Sequence, residues 1–183
     1  MDLTVRQPMP DGLLARARAG DADAFAELVR AHQGSVFSIG YRMLNRRDAA
    51  EDLAQDVFLQ LYRKLEHIES LEHLGFWLRR VAANLAIDWL RRLPHTTTQP
   101  LEEGAAVAAP HHEEDPFMSR ELERLLGELT PSARAVMLLR YQEDLDVAEV
   151  GAALDMPVNT VKSHIKRSLT QLRSRMIGAQ LVV

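Results

Sequence analysis

The chain contains no cysteine. That excludes disulfides, thiolate zinc sites, iron–sulfur clusters and a cysteine nucleophile, and it fits a reducing, cytoplasmic setting. Aromatic residues make up only 5%, and the β-branched and aromatic runs that strands favour are scarce. No apolar run approaches the ~18 residues of a membrane span. The first eleven residues, MDLTVRQPMPD, lack the apolar centre of a signal peptide, so no leader is predicted. Catalytic signatures are also missing. There is no His-Glu-x-x-His, no glycine-rich phosphate loop and no Ser/His/Asp set, so no enzymatic activity is expected.

What is present is a helix-forming mixture rich in Ala, Leu and Arg, in 183 residues that are 46% hydrophobic and 26% charged. Net charge is −4, which by itself speaks mildly against a polyanion partner. The charge is sorted along the chain, however. Residues 1–94 are balanced, 95–117 carry five acids and no Lys or Arg, 118–155 are acidic by four, and 156–183 carry five basic groups and no acid. Binding to nucleic acid is decided by such local fields rather than by the total.

Periodicity predicts an all-α fold in two small helical domains, 12–94 and 118–177, each with a thin core. The segment 95–117, HTTTQPLEEGAAVAAPHHEEDPF, has no period and reads as a flexible acidic linker. Asp21 or Asp23 caps a helix carrying Phe25, Leu28, Val29, His32, Val36, Ile39 and Met43 at helical spacing. Asp48-x-x-Glu51 reads as a capping box for a helix running to about Leu65. A polar connector, 66–75, and a helix ending before Pro94 follow. Thr130-Pro131 opens a further helix, with Thr at the cap and Pro at the first turn. The last two helices, about 146–154 and 159–176, meet at the turn Asp155-Met156-Pro157 in the lengths of a helix-turn-helix.

Three helix faces carry candidate chemistry. In DAAEDLAQDVFLQLYRKL the stripe Leu53, Val57, Leu61 and Leu65 is inward, with Ala50 and Ala54. Asp52, Gln55, Asp56, Leu59 and Arg63 lie outward. Leu59 among polar groups has the form of an interface anchor, although a single exposed Leu is also ordinary. In FWLRRVAANLAIDWLRR the inward stripe is Leu78, Val81, Ala82, Leu85, Trp89 and Leu93, and Arg80, Asn84, Ile87, Asp88 and Arg91 lie opposite. That side is either a solvated charged face or a nucleic-acid contact. In the final helix Val161, Ile165, Leu169 and Leu172 face in. Asn159, Ser163, Lys166, Arg167 and Thr170 face out, with Lys162 at the flank. Cations interleaved with short hydrogen-bonding side chains suit a helix in a major groove. His95, His111 and His112 sit in the linker without a second cluster, so no metal and no cofactor is expected.

These three segments in this order resemble the extracytoplasmic-function group of bacterial sigma factors. AEDLAQDVFLQLYRKL is similar to that family's core-polymerase-binding helix. WLRRVAANLAIDWLRR is similar to its promoter-melting, −10-reading helix. LTPSARAVMLLRYQEDLDVAEVGAALDMPVNTVKSHIKRSLTQLR is similar to its −35-reading domain. The resemblance implies a transcription-initiation factor that binds core RNA polymerase and promoter DNA. Asp52, Gln55, Asp56 and Leu59 would dock on the β′ clamp helices, and the β flap and an anti-sigma factor are further partners it implies. Arg80, Asn84, Asp88 and Arg91 would serve the −10 element. Asn159, Thr160, Lys162, Ser163, Lys166 and Arg167 would serve the −35 element. The chain departs from the family pattern at Ala83, where Arg usually precedes the Asn. It departs again at His164 in place of Arg, at Asp155 and Asn159 in place of Gly, and in the three-glutamate connector. The linker, at 23 residues, spans at most about 75–80 Å extended but averages only ~26 Å relaxed. Two half-sites two helical turns apart lie about 70 Å from each other, so the linker is drawn out when both are engaged. The alternative left open by the residues is a helix-turn-helix regulator acting without polymerase.

Overall fold

The computed structural model describes residues 12–92 and 116–180. Most of the linker lies outside them, as do its three histidines. The described residues are helical, without strands: α1 Leu13–Arg18, α2 Ala22–Leu44, α3 Arg47–Lys64, a single 3-10 turn Leu65–His67, α4 Leu71–Arg92, α5 Pro116–Gly127, α6 Pro131–Tyr141, α7 Val147–Leu154 and α8 Val158–Gln180.

The N-terminal half is built around the crossing of α2 and α3. Gly40 makes it close. A methyl group there would lie 3.3 Å from the Leu53 side chain and 3.4 Å from Ala50. Asp21 caps α2, its carboxylate accepting from the backbone N–H groups of Asp23 and Ala24, each at 3.0 Å. Those bonds and the Arg16 guanidinium at 2.8 Å hold its carboxyl below the usual range, the Ala24 N–H foremost. Asn45 ends α2 in the left-handed region (φ 54°). Leu53, Val57 and Leu61 along α3, and Leu65 in the 3-10 turn, are buried as expected.

Two local expectations are corrected. The capping box at Asp48 does not form. The helix opens two residues earlier, with Arg46 at the cap position, and Arg46 takes the Asp48 carboxylate in a close ion pair. Glu51 pairs instead with Arg47, 2.9 Å away. The connector is also shorter than 66–75, because α4 begins at Leu71. Ser70 Oγ accepts from the His73 N–H at 3.1 Å, in the manner of an N-cap. Buried Ile68 and Leu74 pin this corner to the core.

In the C-terminal half the helix-turn-helix is formed by α7 and α8. Asp146 and Glu149 complete a capping box at the start of α7. Thr130 caps α6 ahead of Pro131. Asp155 closes α7 with φ 53°, the left-handed conformation that glycine adopts most readily. Gly151 is required by the elbow, since a Cβ there would stand 2.8 Å from the Met156 carbonyl oxygen.

The thin cores of the two domains are joined. One continuous apolar cluster joins buried residues of α2, α3 and α4 to Ala135, Val136, Leu138, Leu139, Val150, Ala153 and Val161. A smaller cluster of Leu125, Leu129, Ala133, Met137 and Leu172 ties α5 and α6 to α8. The reason lies in α6, where Ala135 to Leu139 are all buried. A helix apolar on every side needs cover on every side, and α2 and α4 supply it.

Gly151→Ala forces the elbow open against a backbone oxygen. It is expected to destabilise the chain by about 1–3 kcal/mol, seen as a lowered midpoint in thermal unfolding followed by circular dichroism.

Candidate functional site

The outward face of α3 is as the spacing predicts. Asp52, Gln55 and Asp56 are exposed, and Leu59 is 54% exposed. Sequence reading missed Tyr62, one helical turn beyond Leu59 and 68% exposed. Its ring meets Phe25 edge-on, with centroids 5.3 Å apart at 78°. This face therefore presents two exposed apolar side chains one helical turn apart, Leu59 and Tyr62. The i, i+3 spacing of Leu59 and Tyr62 was the available signal.

The outward face of α8 is also open. Asn159, Thr160, Lys162, Ser163, Lys166 and Arg167 are all exposed, while Val161, Ser168 and Leu172 hold the inner side. Shallow concave surfaces run along it, one lined by Asn159, Thr160, Ser163, His164 and Arg167. Among the described residues no ion pair joins Lys162, Lys166 or Arg167 to an acid, so three cations stand unneutralised along one helix face. Ser163 Oγ donates to the Asn159 carbonyl at 2.8 Å. It remains able to accept from, or be redirected to, an outside partner.

Helix α4 differs from its expected placement. Arg80, Asp88 and Arg91 are exposed, and Asp88 pairs loosely with Arg91 at 3.7 Å. Ile87, expected on the outer side, is buried at 3% exposure, and Ala83 is fully buried. The cause is the C-terminal half, because α6 and α7 both pack on α4. Asn84 is half-buried, and its Nδ2 donates to two carbonyls, Arg80 O at 2.8 Å and Ala153 O at 2.9 Å. Arg79 Nε donates to Glu143 Oε2 at 3.0 Å in a pair of largely covered side chains. Arg91 reaches Ser132 Oγ at 3.4 Å.

The same junction solves a backbone problem. The last carbonyls of a helix have no partner inside it. Ala153 near the end of α7 is served by Asn84. Met43 near the end of α2 accepts from Arg134 Nη1 at 2.6 Å, Leu126 of α5 accepts from Arg134 Nε at 3.0 Å, and Gly127 O accepts from Arg134 Nη2. One guanidinium thus caps two helices, where a cation also complements the helix dipole. Burial pushes the Arg134 pKa below its ordinary value.

Comparison with known proteins identifies the architecture. The model of Sigma-70 region 2 matches residues 28–95, and that of Sigma-70 region 4 matches residues 119–172. The ECF RNA polymerase sigma factor SigW of Bacillus subtilis is 31% identical over 176 residues, covering 89% of this chain and 94% of that protein. The chain belongs to the ECF sigma factors of bacterial RNA polymerase. The RNA polymerase sigma-E factor of Streptomyces coelicolor is likewise 31% identical, over 88% of this chain and 91% of its own length. Among solved structures, CnrH in complex with the cytosolic domain of CnrY shares the fold, with a TM-score of 0.67 at 20% identity over 91% of this chain and 96% of that one. So does the sigma factor RpoE in complex with the anti-sigma factor NepR from Bartonella quintana, with a TM-score of 0.65 at 19% identity over 82% and 94%.

As a sigma factor the chain binds core RNA polymerase and directs promoter-specific initiation. No helix among its described residues is long and apolar enough to cross a membrane. For this sigma factor, Arg134→Met removes the donors from three helix-end carbonyls at once. The expected loss is about 2–4 kcal/mol, measured by urea denaturation. Arg134→Lys, with one ammonium for three acceptors, is expected to recover only part of it.

Proposed function

We propose that the three faces divide the work of initiation. The α3 face docks on the β′ clamp helices through Asp52, Gln55, Asp56 and Leu59, with Tyr62 as a second apolar anchor. The observation that carries this is the exposed Leu59–Tyr62 pair inside a rim of carboxylates and an amide, the usual form of an interface hot spot. The α4 face, through Arg80, Asn84, Asp88 and Arg91, takes the −10 element. The α8 face, through Asn159, Thr160, Lys162, Ser163, Lys166 and Arg167, takes the −35 element, with residues 118–177 seated at the β flap. The work is done in the cytoplasm, without a cofactor and without chemistry by the sigma factor itself. An anti-sigma factor is a fitting restraint, since the similar sigma factor RpoE of Bartonella quintana is found in complex with the anti-sigma factor NepR.

Within α8 the reading separates base choice from charge. The N-terminal residues of a recognition helix lie nearest the bases, and later ones reach the flanking backbone. Lys166→Ala is expected to weaken all −35 variants about equally and to reduce the salt slope by about one unit. Ser163→Ala or Asn159→Ala is expected to change which variant is preferred, by about 1–3 kcal/mol per base contact. Initiation by reconstituted holoenzyme on a panel of −35 variants at two salt concentrations measures both. Unchanged preference and unchanged slope in all three variants would remove α8 as the reader.

For α3, the double substitution Asp56→Arg with Leu59→Arg leaves the fold intact, because both side chains point to solvent. It is expected to weaken binding to core polymerase at least tenfold, an effect of the size that interface hot spots show. Competition against a labelled sigma factor for core polymerase measures it, and equal affinity would remove this face from the docking surface.

A further inference from the structure

Lysine is scarce in this chain. Of its 22 basic residues only Lys64, Lys162 and Lys166 are lysines, and the rest are arginines. Many of the arginines are committed to the fold. Arg16, Arg46, Arg47, Arg79, Arg91 and Arg124 hold carboxylates, and Arg134 serves helix-end carbonyls. Lys162 and Lys166 are exposed, one turn apart on α8, and among the described residues neither pairs with an acid. Lys166 also lines a shallow opening with Ser163, Arg167, Thr170, Gln171 and Ser174, none of them acidic. Two cations with no carboxylate beside them focus a field that draws small anions. A lysine amine can be acylated and so lose its charge, whereas a guanidinium stays charged and resists. An acylating agent therefore finds three side-chain amines on this chain, two of them on the proposed −35 face.

We propose that Lys166 is an acylation site, at which an acyl phosphate turns down binding to the −35 element. The inference rests on the reading of α8 as the −35 face. The donor's phosphate is held by Arg167, which lines the same opening. Lys166 Nζ, as the free amine, attacks the acyl carbon. An amide C–N bond forms and the C–O bond to phosphate breaks. Inorganic phosphate leaves with the electron pair, the amine's proton goes to water, and nothing is oxidised or reduced. The product is neutral. No ion pair of the fold is lost with the charge, so the scaffold stands while the contact to a DNA phosphate goes. At about 0.15 M salt, one such contact with a slope of about 0.9 is worth about fivefold in affinity. The loss falls on every −35 sequence alike, so acylation sets how strongly promoters are held without changing which are chosen. An arginine at 166 would also hold a phosphate, but it could not be adjusted in this way. That accounts for a lysine here in a chain that elsewhere prefers arginine.

The other two lysines are internal controls. Lys162 shares the helix but lies outside the opening, and Lys64 follows Arg63 but has Glu66 close by in sequence. The full chain is incubated with acetyl phosphate or, in a parallel arm, with a phosphate-free acetyl thioester, N,S-diacetylcysteamine. Peptide mass spectrometry follows the three lysines. Acetyl phosphate is expected to modify Lys166 several-fold faster than Lys162 or Lys64, and the thioester to show no such preference. Arg167→Gln is expected to abolish the preference. Equal rates at the three lysines, a preference that survives Arg167→Gln, or the same preference with the thioester refutes the site. The reagent is then removed, core polymerase is added, and initiation on the −35 panel is divided by that of an untreated sample of the same variant. For the unsubstituted chain the ratio is expected to fall about fivefold on every promoter, and for Lys166→Arg to fall much less. A Lys166→Arg chain that loses as much as the unsubstituted one refutes control through this residue. Lys166→Gln, made without reagent, separates the two levels. If it initiates as well as the unsubstituted chain, the phosphate contact of Lys166 falls and the proposal with it. If it initiates poorly while acetyl phosphate shows no preference for Lys166, the −35 reading stands and the acylation site alone is refuted.

Discussion

Helix α4 must be covered on two sides, and most of the structure follows from that. Its first stripe, Leu74, Leu78, Ala82 and Ala86, completes the N-terminal bundle. Its second, Ala83 and Ile87, is buried as well, and α6 and α7 both pack on this helix. Burying a side chain the size of Ile87 is worth about 1.5–3 kcal/mol, a large share of the margin by which a small domain is stable at all. The polar groups at the rim add direction to this apolar contact. Asn84 and Arg134 meet helix-end carbonyls, and Arg79 meets Glu143, so the halves join in one register.

Much of this was legible in the residues. The α3 and α8 faces lie where three- and four-residue spacing puts them, because each helix buries a single stripe and the rest faces water. Thr130-Pro131 and the start of α7 were legible because capping is chemistry between near neighbours. The family resemblance, too, rested on segments whose order and spacing the chain displays directly.

The misreadings share a cause, which is competition from a group the local pattern does not contain. Asp48 has the spacing of a capping box, but its carboxylate pairs with Arg46 and accepts from the Ala49 N–H, while the helix already starts at Arg47. Ile87 lies opposite the main stripe of α4, and only the presence of α6 and α7 makes that side an interior. Two signals were there to be used. Ala83 and Ile87 are an apolar i, i+4 pair on a side otherwise polar, and the run Ala135-Val136-Met137-Leu138-Leu139 is apolar all round. Either one points to a partner helix without naming it.

The elbow between α7 and α8 has a consequence for how such a protein changes over generations. Its angle is held by backbone and small side chains, with Gly151 against the Met156 carbonyl and Asp155 in a left-handed turn. The inner side of α8 is held by Val161, Ser168 and Leu172. The side chains at the six outward positions take little part in that support; Ser163 reaches the Asn159 carbonyl and Thr170 the Lys166 carbonyl, both within α8 itself. Substitutions there leave the scaffold standing, so selection can rewrite the outer surface one residue at a time while every intermediate still folds. Duplicated copies of such a gene can therefore drift apart in what they recognise long before they drift apart in shape.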